Sequence, residues 1–287
     1  MGNKKPNAGG TQPPSGRISD EATILEVTSL TAEDAVLEID DTANETLDAL
    51  FNGQIKLYQS RSGYRVSLDA LLLANFVKIA ARDKILDLGA GNGAVALMLA
   101  YLYPTTRLTA LEIQPGLLAR ARRNAILNRV EARLSIIAGD VRSDETLEDL
   151  ENHDVAVCNP PYRSPFTGRV SPNAEKRIAR HEINGAVEHF LRAGRHCLVK
   201  KGRMALVYPA FRCVDLLVSM RAAGMEPKRL RMVHSRSDSD ASLVLVEGVK
   251  GGKSHIAVES PLIVYRDNGQ YSSEVAAMIR GGTGDQP

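Results

Sequence analysis

The stretch "DLGAGNGAVAL", residues 87–97, decides how the rest of the chain reads. It follows the apolar run "KIL" and leads into "AVALMLAYLY", so a strand ends, the chain turns on three glycines, and a helix begins. Gly89, Gly91 and Gly93 let the backbone turn tightly and approach a ligand with no Cβ in the way. With Ala90 inside the turn and Ala94 closing it, the run also satisfies G-x-G-x-x-G/A, the dinucleotide fingerprint. The loop alone therefore does not choose its ligand.

Working outward, strand and helix patterns alternate. "RLTALEI" reads as a strand and "PGLLARARRNAILN" as a helix opened by Pro115. "LSIIAGD" is a strand, "ETLEDL" a short helix and "DVAVC" a strand. A helical stretch over about 171–199, broken at Asn184-Gly185, leads to the strand "RMALVYP" and the helix "CVDLLVSMRAAG". "RLRMVHS" and "ASLVLVEGV" then form two strands with no helix between them. Alternation that ends in a β-β pair predicts an α/β fold: a doubly wound, mostly parallel, seven-stranded sheet with one antiparallel strand. Upstream, "SLDALLLANFVKIA" carries an N-cap serine and an acid in its first turn, the start of a helix.

Residues 1–44 read as an acidic, disordered leader, residues 45–250 as the main domain with a helical lead-in, and residues 251–287 as an extension of that domain. The extension carries a short strand "PLIVY", a "DNG" turn and a short helix "SEVAAMI". Residues 1–50 hold 3 Lys+Arg against 10 Asp+Glu, a balance of −7; the remainder holds 33 against 24, or +9. A basic body suits a polyanionic partner. No apolar run nears the roughly 20 residues of a membrane span, and the amino terminus has no apolar core, so a cytoplasmic location is expected. Cys158, Cys197 and Cys213 are widely spaced, with no C-x-x-C pair, and no metal site is expected.

Three acids stand at strand ends around the glycine loop. Asp87 precedes it, where a pyrophosphate would be repelled and a cationic amine welcomed. Glu112 ends the second strand, placed for both hydroxyls of a ribose. Asp140 ends the third, placed for an adenine amine. A positively charged nucleoside without phosphates fits this set, and S-adenosylmethionine answers the description better than NAD. Each acid read alone could be a helix N-cap.

The fourth strand runs into "NPPY", residues 159–162, and proline must end it there. A planar NH2 conjugated with a ring is a poor nucleophile. Acceptors on its two N–H groups draw it toward a nucleophilic geometry. Asn159 offers a side-chain oxygen, Pro160 a carbonyl on a chain of fixed φ, and Tyr162 a stacking face; Pro161 holds the turn. Asn159 also borders the cofactor loop, while Cys158 points to the opposite face and reads as core.

"DLGAGNG" with "NPPY" resembles the class I S-adenosylmethionine-dependent methyltransferases of exocyclic and amide nitrogens. "YQSRSGYRVSLDALLLANFV" and "NPPYRSPFTGRVSPNAEKRIARHE" look like the bacterial tRNA adenine-N6 methyltransferases acting on a valine tRNA. The resemblance spans roughly residues 45–280. It implies methyl transfer to the N6 of an adenine beside the anticodon. It gives cofactor roles to Asp87, Gly89, Gly91, Gly93, Glu112 and Asp140, and target-amine roles to residues 159–162. Arg163, Arg169, Lys176, Arg177 and Arg180 then read as a phosphate grip on an anticodon loop, with Lys176 and Arg180 on one helical face. "RSGYR", residues 61–65, offers a second RNA contact, and Arg120, Arg122 and Arg123 read as solvated charge. A monomer is expected. The rivals are a protein-glutamine methyltransferase with the same pocket, a DNA methyltransferase lacking a recognition insert, and a non-catalytic RNA-binding module on the same scaffold.

Overall fold

The computed structural model describes residues 44–62, 65–161 and 187–282. Two antiparallel strands, β1 (Glu45–Leu50) and β2 (Ile55–Ser60), come first and form a hairpin. The lead-in, expected as helical, is thus a hairpin followed by a helix. Its turn places Phe51, Asn52 and Gly53 at positive φ. Asn-Gly is a residue pair that suits such turns.

Helix α1 (Leu68–Phe76) follows, with Ser67 at its N-cap but making no side-chain cap bond. The alternating part begins with β3 (Lys84–Leu88), α2 (Ala94–Leu102), β4 (Arg107–Glu112), α3 (Pro115–Leu127) and β5 (Leu134–Ala138). It continues through α4 (Asp144–Glu148), β6 (His153–Cys158), α5 (Val187–Cys197) and β7 (Leu198–Pro209). A 3-10 turn (Ala210–Arg212) opens α6 (Cys213–Ala222), and β8 (Met225–His234) pairs with β9 (Ala241–Lys250). Two short strands, β10 (Ala257–Val258) and β11 (Leu262–Ile263), and the helix α7 (Ser273–Ile279) complete the described chain.

The main sheet runs β10-β8-β9-β7-β6-β3-β4-β5, with β11 also on β8. The seven long strands are those expected. β9 is antiparallel to both neighbours, and the two short strands widen the β8 edge. The chain winds outward from β3 to β5, then returns to lay β6 on the other side of β3. The winding therefore reverses between β3 and β6, where such sheets open a crevice at the strand C-termini.

Side-chain alternation divides the core. Ile85, Val155, Val157, Ala205, Val207 and Leu245 pack on one face, against α1, α2 and the hairpin. Leu86, Ala156, Cys158, Met204, Leu206 and Val246 pack on the other, against α5 and α6. Near the carboxyl end, Gly281, at φ +74, closes on the hairpin, and a Cβ there would stand 2.9 Å from Phe51 and 3.1 Å from Tyr101. Among the described residues, no helix is long and apolar enough to cross a membrane.

Candidate active site

The glycine loop leaves β3 at the reversal point and is held at each step. The Gly89 and Ala90 amides both donate to the Leu111 carbonyl, at 2.9 and 3.0 Å. Gly91 donates to Glu112 Oε2 at 2.8 Å, and Gly93 to the Ala90 carbonyl at 2.9 Å. Gly89, Gly91 and Gly93 all have positive φ. Packing adds a second demand at two of them. A Cβ on Gly89 would stand 3.1 Å from the Phe190 ring, and one on Gly93 3.3 Å from Ala121 Cβ. Ala90 lies buried between them.

Asp87 is 2% exposed, and its Oδ2 has no hydrogen-bond partner among the described residues. Burial, with Glu112 nearby, pushes its carboxyl up to about 7. A buried carboxylate oxygen without a partner is costly unless a cation or donor completes it. Glu112 is equally enclosed. Its Oε1 accepts from the Gln114 amide at 2.8 Å while Oε2 holds Gly91. Burial raises its pKa, against the pull of those amides. A carboxylate offers about four acceptor sites, so capacity remains for hydroxyl donors.

Asp140, expected near an adenine amine, is held by Arg142. Its Oδ1 accepts from the Arg142 amide at 2.8 Å, and both oxygens take the Arg142 guanidinium, Oδ2 at 2.6 Å. Those bonds hold its pKa below the usual carboxylate range. The helix cap here is Ser143, which accepts from the Thr146 amide.

Beside β3, β6 runs in register with Asp87 opposite Val157, and so delivers residues 159–161 next to the glycine loop. Asn159 is half-buried, Pro160 buried and Pro161 half-buried. Cys158 is fully buried on the other face, and burial raises its thiol pKa well above the ordinary value. Tyr162, Arg163, Arg169, Lys176, Arg177 and Arg180 lie outside the described residues. Among the described residues, no group of three His, Cys, Asp or Glu side chains could hold a metal ion.

Two readings of basic residues change. Arg65, read as part of a second RNA contact, pairs with buried Asp48. Arg120 and Arg123 are not solvated charge, since both bind Glu45, at 2.8 and 2.6 Å. Arg120 is buried, and Arg123 also covers the Tyr58 ring at 5.3 Å. The hairpin, a partner distant in sequence, accounts for both.

Sequence reading also missed Asn124 of α3 and Asn128 at its C-cap. Asn124 and Asn128 grip β2 through paired amide bonds to Tyr58 and Lys56. Their i,i+4 spacing was the available signal.

A buried carboxylate with one unpartnered oxygen, an acid beside the loop for a ribose and tight glycines fit a cationic nucleoside. S-adenosylmethionine meets these demands. Such a crevice, on a sheet of this winding with its last long strand antiparallel, defines a class I methyltransferase.

The chain belongs to the methyltransferase small domain family, whose sequence profile matches residues 65–218. It is 29% identical over 230 residues to the tRNA1(Val) (adenine(37)-N6)-methyltransferase of Porphyromonas gingivalis strain W83, covering 77% of this chain and 89% of that protein. The protein of the same name from Vibrio campbellii is 27% identical over 227 residues, covering 79% and 92%. The fold is matched by a crystal structure of a predicted O-methyltransferase from Agrobacterium tumefaciens, at a TM-score of 0.61 and 23% identity, over 74% of this chain and 96% of that one.

Proposed function

We infer that this chain transfers a methyl group from S-adenosylmethionine to the exocyclic N6 of an adenine in tRNA. The observation that carries the reading is the span of the likeness. Relatives bearing that activity in their names align over 89% and 92% of their own lengths. Their names further support adenine 37 of a valine tRNA as the target, and the anticodon loop as the region bound.

When bound, S-adenosylmethionine supplies an electrophilic methyl group on a cationic sulfur. Asp87 offers its unpartnered oxygen to a cationic donor, and Glu112 its remaining acceptor sites to ribose hydroxyls. Asp140 serves the adenine of the cofactor by sharing its carboxylate with Arg142. At the target, Asn159 accepts one N–H of the amine through its side-chain oxygen, and the Pro160 carbonyl accepts the other. These fixed acceptors favour the nitrogen geometry of the transition state over that of the flat ground state. Held between Asn159 and Pro160, the amine nitrogen would be presented to that methyl group and would give up one proton to solvent. Pro161 keeps the turn rigid, and Tyr162 stacks on the base. Arg163, Arg169, Lys176, Arg177 and Arg180 grip backbone phosphates while the base is turned out.

The test is nucleoside mass spectrometry after incubating the protein with tRNA and methyl-labelled S-adenosylmethionine. Label in N6-methyladenosine is the expected result. Cofactor binding without label in any nucleoside would overturn the RNA reading and turn attention to a protein amide or DNA.

A further inference from the structure

Asn124 of α3 and Asn128 at its C-cap grip the hairpin in the same way, and Asn124 makes a further bond to the cofactor loop. Asn128 Oδ1 accepts from the Lys56 amide at 2.9 Å and its Nδ2 donates to the Lys56 carbonyl at 2.6 Å. One helical turn earlier, Asn124 Oδ1 accepts from the Tyr58 amide at 2.7 Å and its Nδ2 donates to the Tyr58 carbonyl at 3.2 Å. Four helical residues rise about 6 Å and two strand residues about 6.6 Å, so the spacings match. Nδ2 of Asn124 also donates, at 3.0 Å, to the carbonyl of Asn92 in the glycine loop.

That bond fixes a peptide plane. In a trans peptide the C=O and the following N–H point in opposite directions. The Asn92 carbonyl is taken by Asn124, and the Gly93 N–H by the Ala90 carbonyl. The plane between residues 92 and 93 is thereby held from both sides. The approach is close, since Gly93 has a Cβ-free contact with Ala121 on the same helix. Asn124 is fully buried, so water does not substitute readily for its amide.

We propose that Asn124 is a positioning residue for the cofactor: it sets the glycine loop in its binding shape by tying it to α3 and to the hairpin. The proposal rests on the reading that this loop binds S-adenosylmethionine. Asn128 is the built-in control, with the same grip on the hairpin.

The test uses the full chain with Asn124→Ala, Asn124→Ser and Asn128→Ala, the serine variant keeping the comparison alive if the alanine variant misfolds. Thermal melting, the dissociation constant of S-adenosylmethionine, and KM and kcat on tRNA are measured for each. Both positions should lower the melting temperature. The Asn124 variants alone should weaken cofactor binding and raise its KM on the order of tenfold, with kcat at saturation within about twofold of the parent. Equal effects of the Asn124 and Asn128 variants on cofactor affinity, or no effect of either, would overturn the proposal. Absence of cofactor binding by the parent protein would instead overturn the reading on which it stands.

Discussion

Asn159 and Asp87 carry the sharpest expectations at the scale of single residues. Asn159→Ala removes one prepositioned acceptor from the target amine. Single-turnover methylation of tRNA should slow by about 10²–10³. Asp87 makes a pH prediction. Its carboxyl lies at about 7 in the fold, against an ordinary 3.8, so the folded state holds a proton that the unfolded chain has already lost. The ligand-free protein should therefore lose stability as pH rises from about 4 to about 7, and level off above that. A cationic ligand favours the ionised carboxylate, so cofactor affinity should rise as pH climbs through 7. Calorimetric titration between pH 6 and 8 should show both that rise and proton release, and Asp87→Asn should flatten them. These acids were legible because each ends a predicted strand beside glycines. The Arg142 chelate on Asp140 was not, because its geometry depends on the turn after β5.

Elements are where sequence reading both succeeded and failed. The helices and long strands of the alternating region emerged from apolar runs and their punctuation. The hairpin did not, although Asn52-Gly53 sits at its turn. Its strands are largely buried on both faces, which erases the in-out alternation that marks a strand. The same oversight misassigned Arg120 and Arg123 of α3, since an isolated helix gives no sign of a strand that will cover it. Glu45 tests the consequence. It is buried between Arg120 and Arg123, so Glu45→Ala leaves two cations without it, one of them buried. Urea unfolding should report a loss of about 3–5 kcal/mol. The glycine loop allows a parallel test. Gly93→Ala forces a Cβ at φ +85 against Ala121 and should cost about 1–2 kcal/mol in the same assay.

For the molecule as a whole, the strand count and the one reversed strand followed from the order of elements, whereas strand order depends on pairings between distant segments. The reversal between β3 and β6 is such a pairing, and it brings Asp87 and Asn159 to one crevice from 72 residues apart (159 minus 87). Net charge also belongs to this scale. The basic body after residue 50 should give tRNA binding a steep dependence on salt. Replacing Lys176 and Arg180 together by alanine should reduce the slope of log affinity against log salt by about 1.4, at about 0.7 per single-strand phosphate contact. Filter binding across a salt series reads that slope directly. Finally, Phe51 is capped by Gly281, which is translated 230 residues later (281 minus 51). A growing chain therefore leaves the Gly281 side of the hairpin's aromatic tip uncovered until residue 281 has emerged, although Tyr101 packs on the Phe51 ring earlier. A segment near residue 281 thus finishes the packing of a hairpin made 230 residues before it, and until then that tip is open to other apolar surfaces.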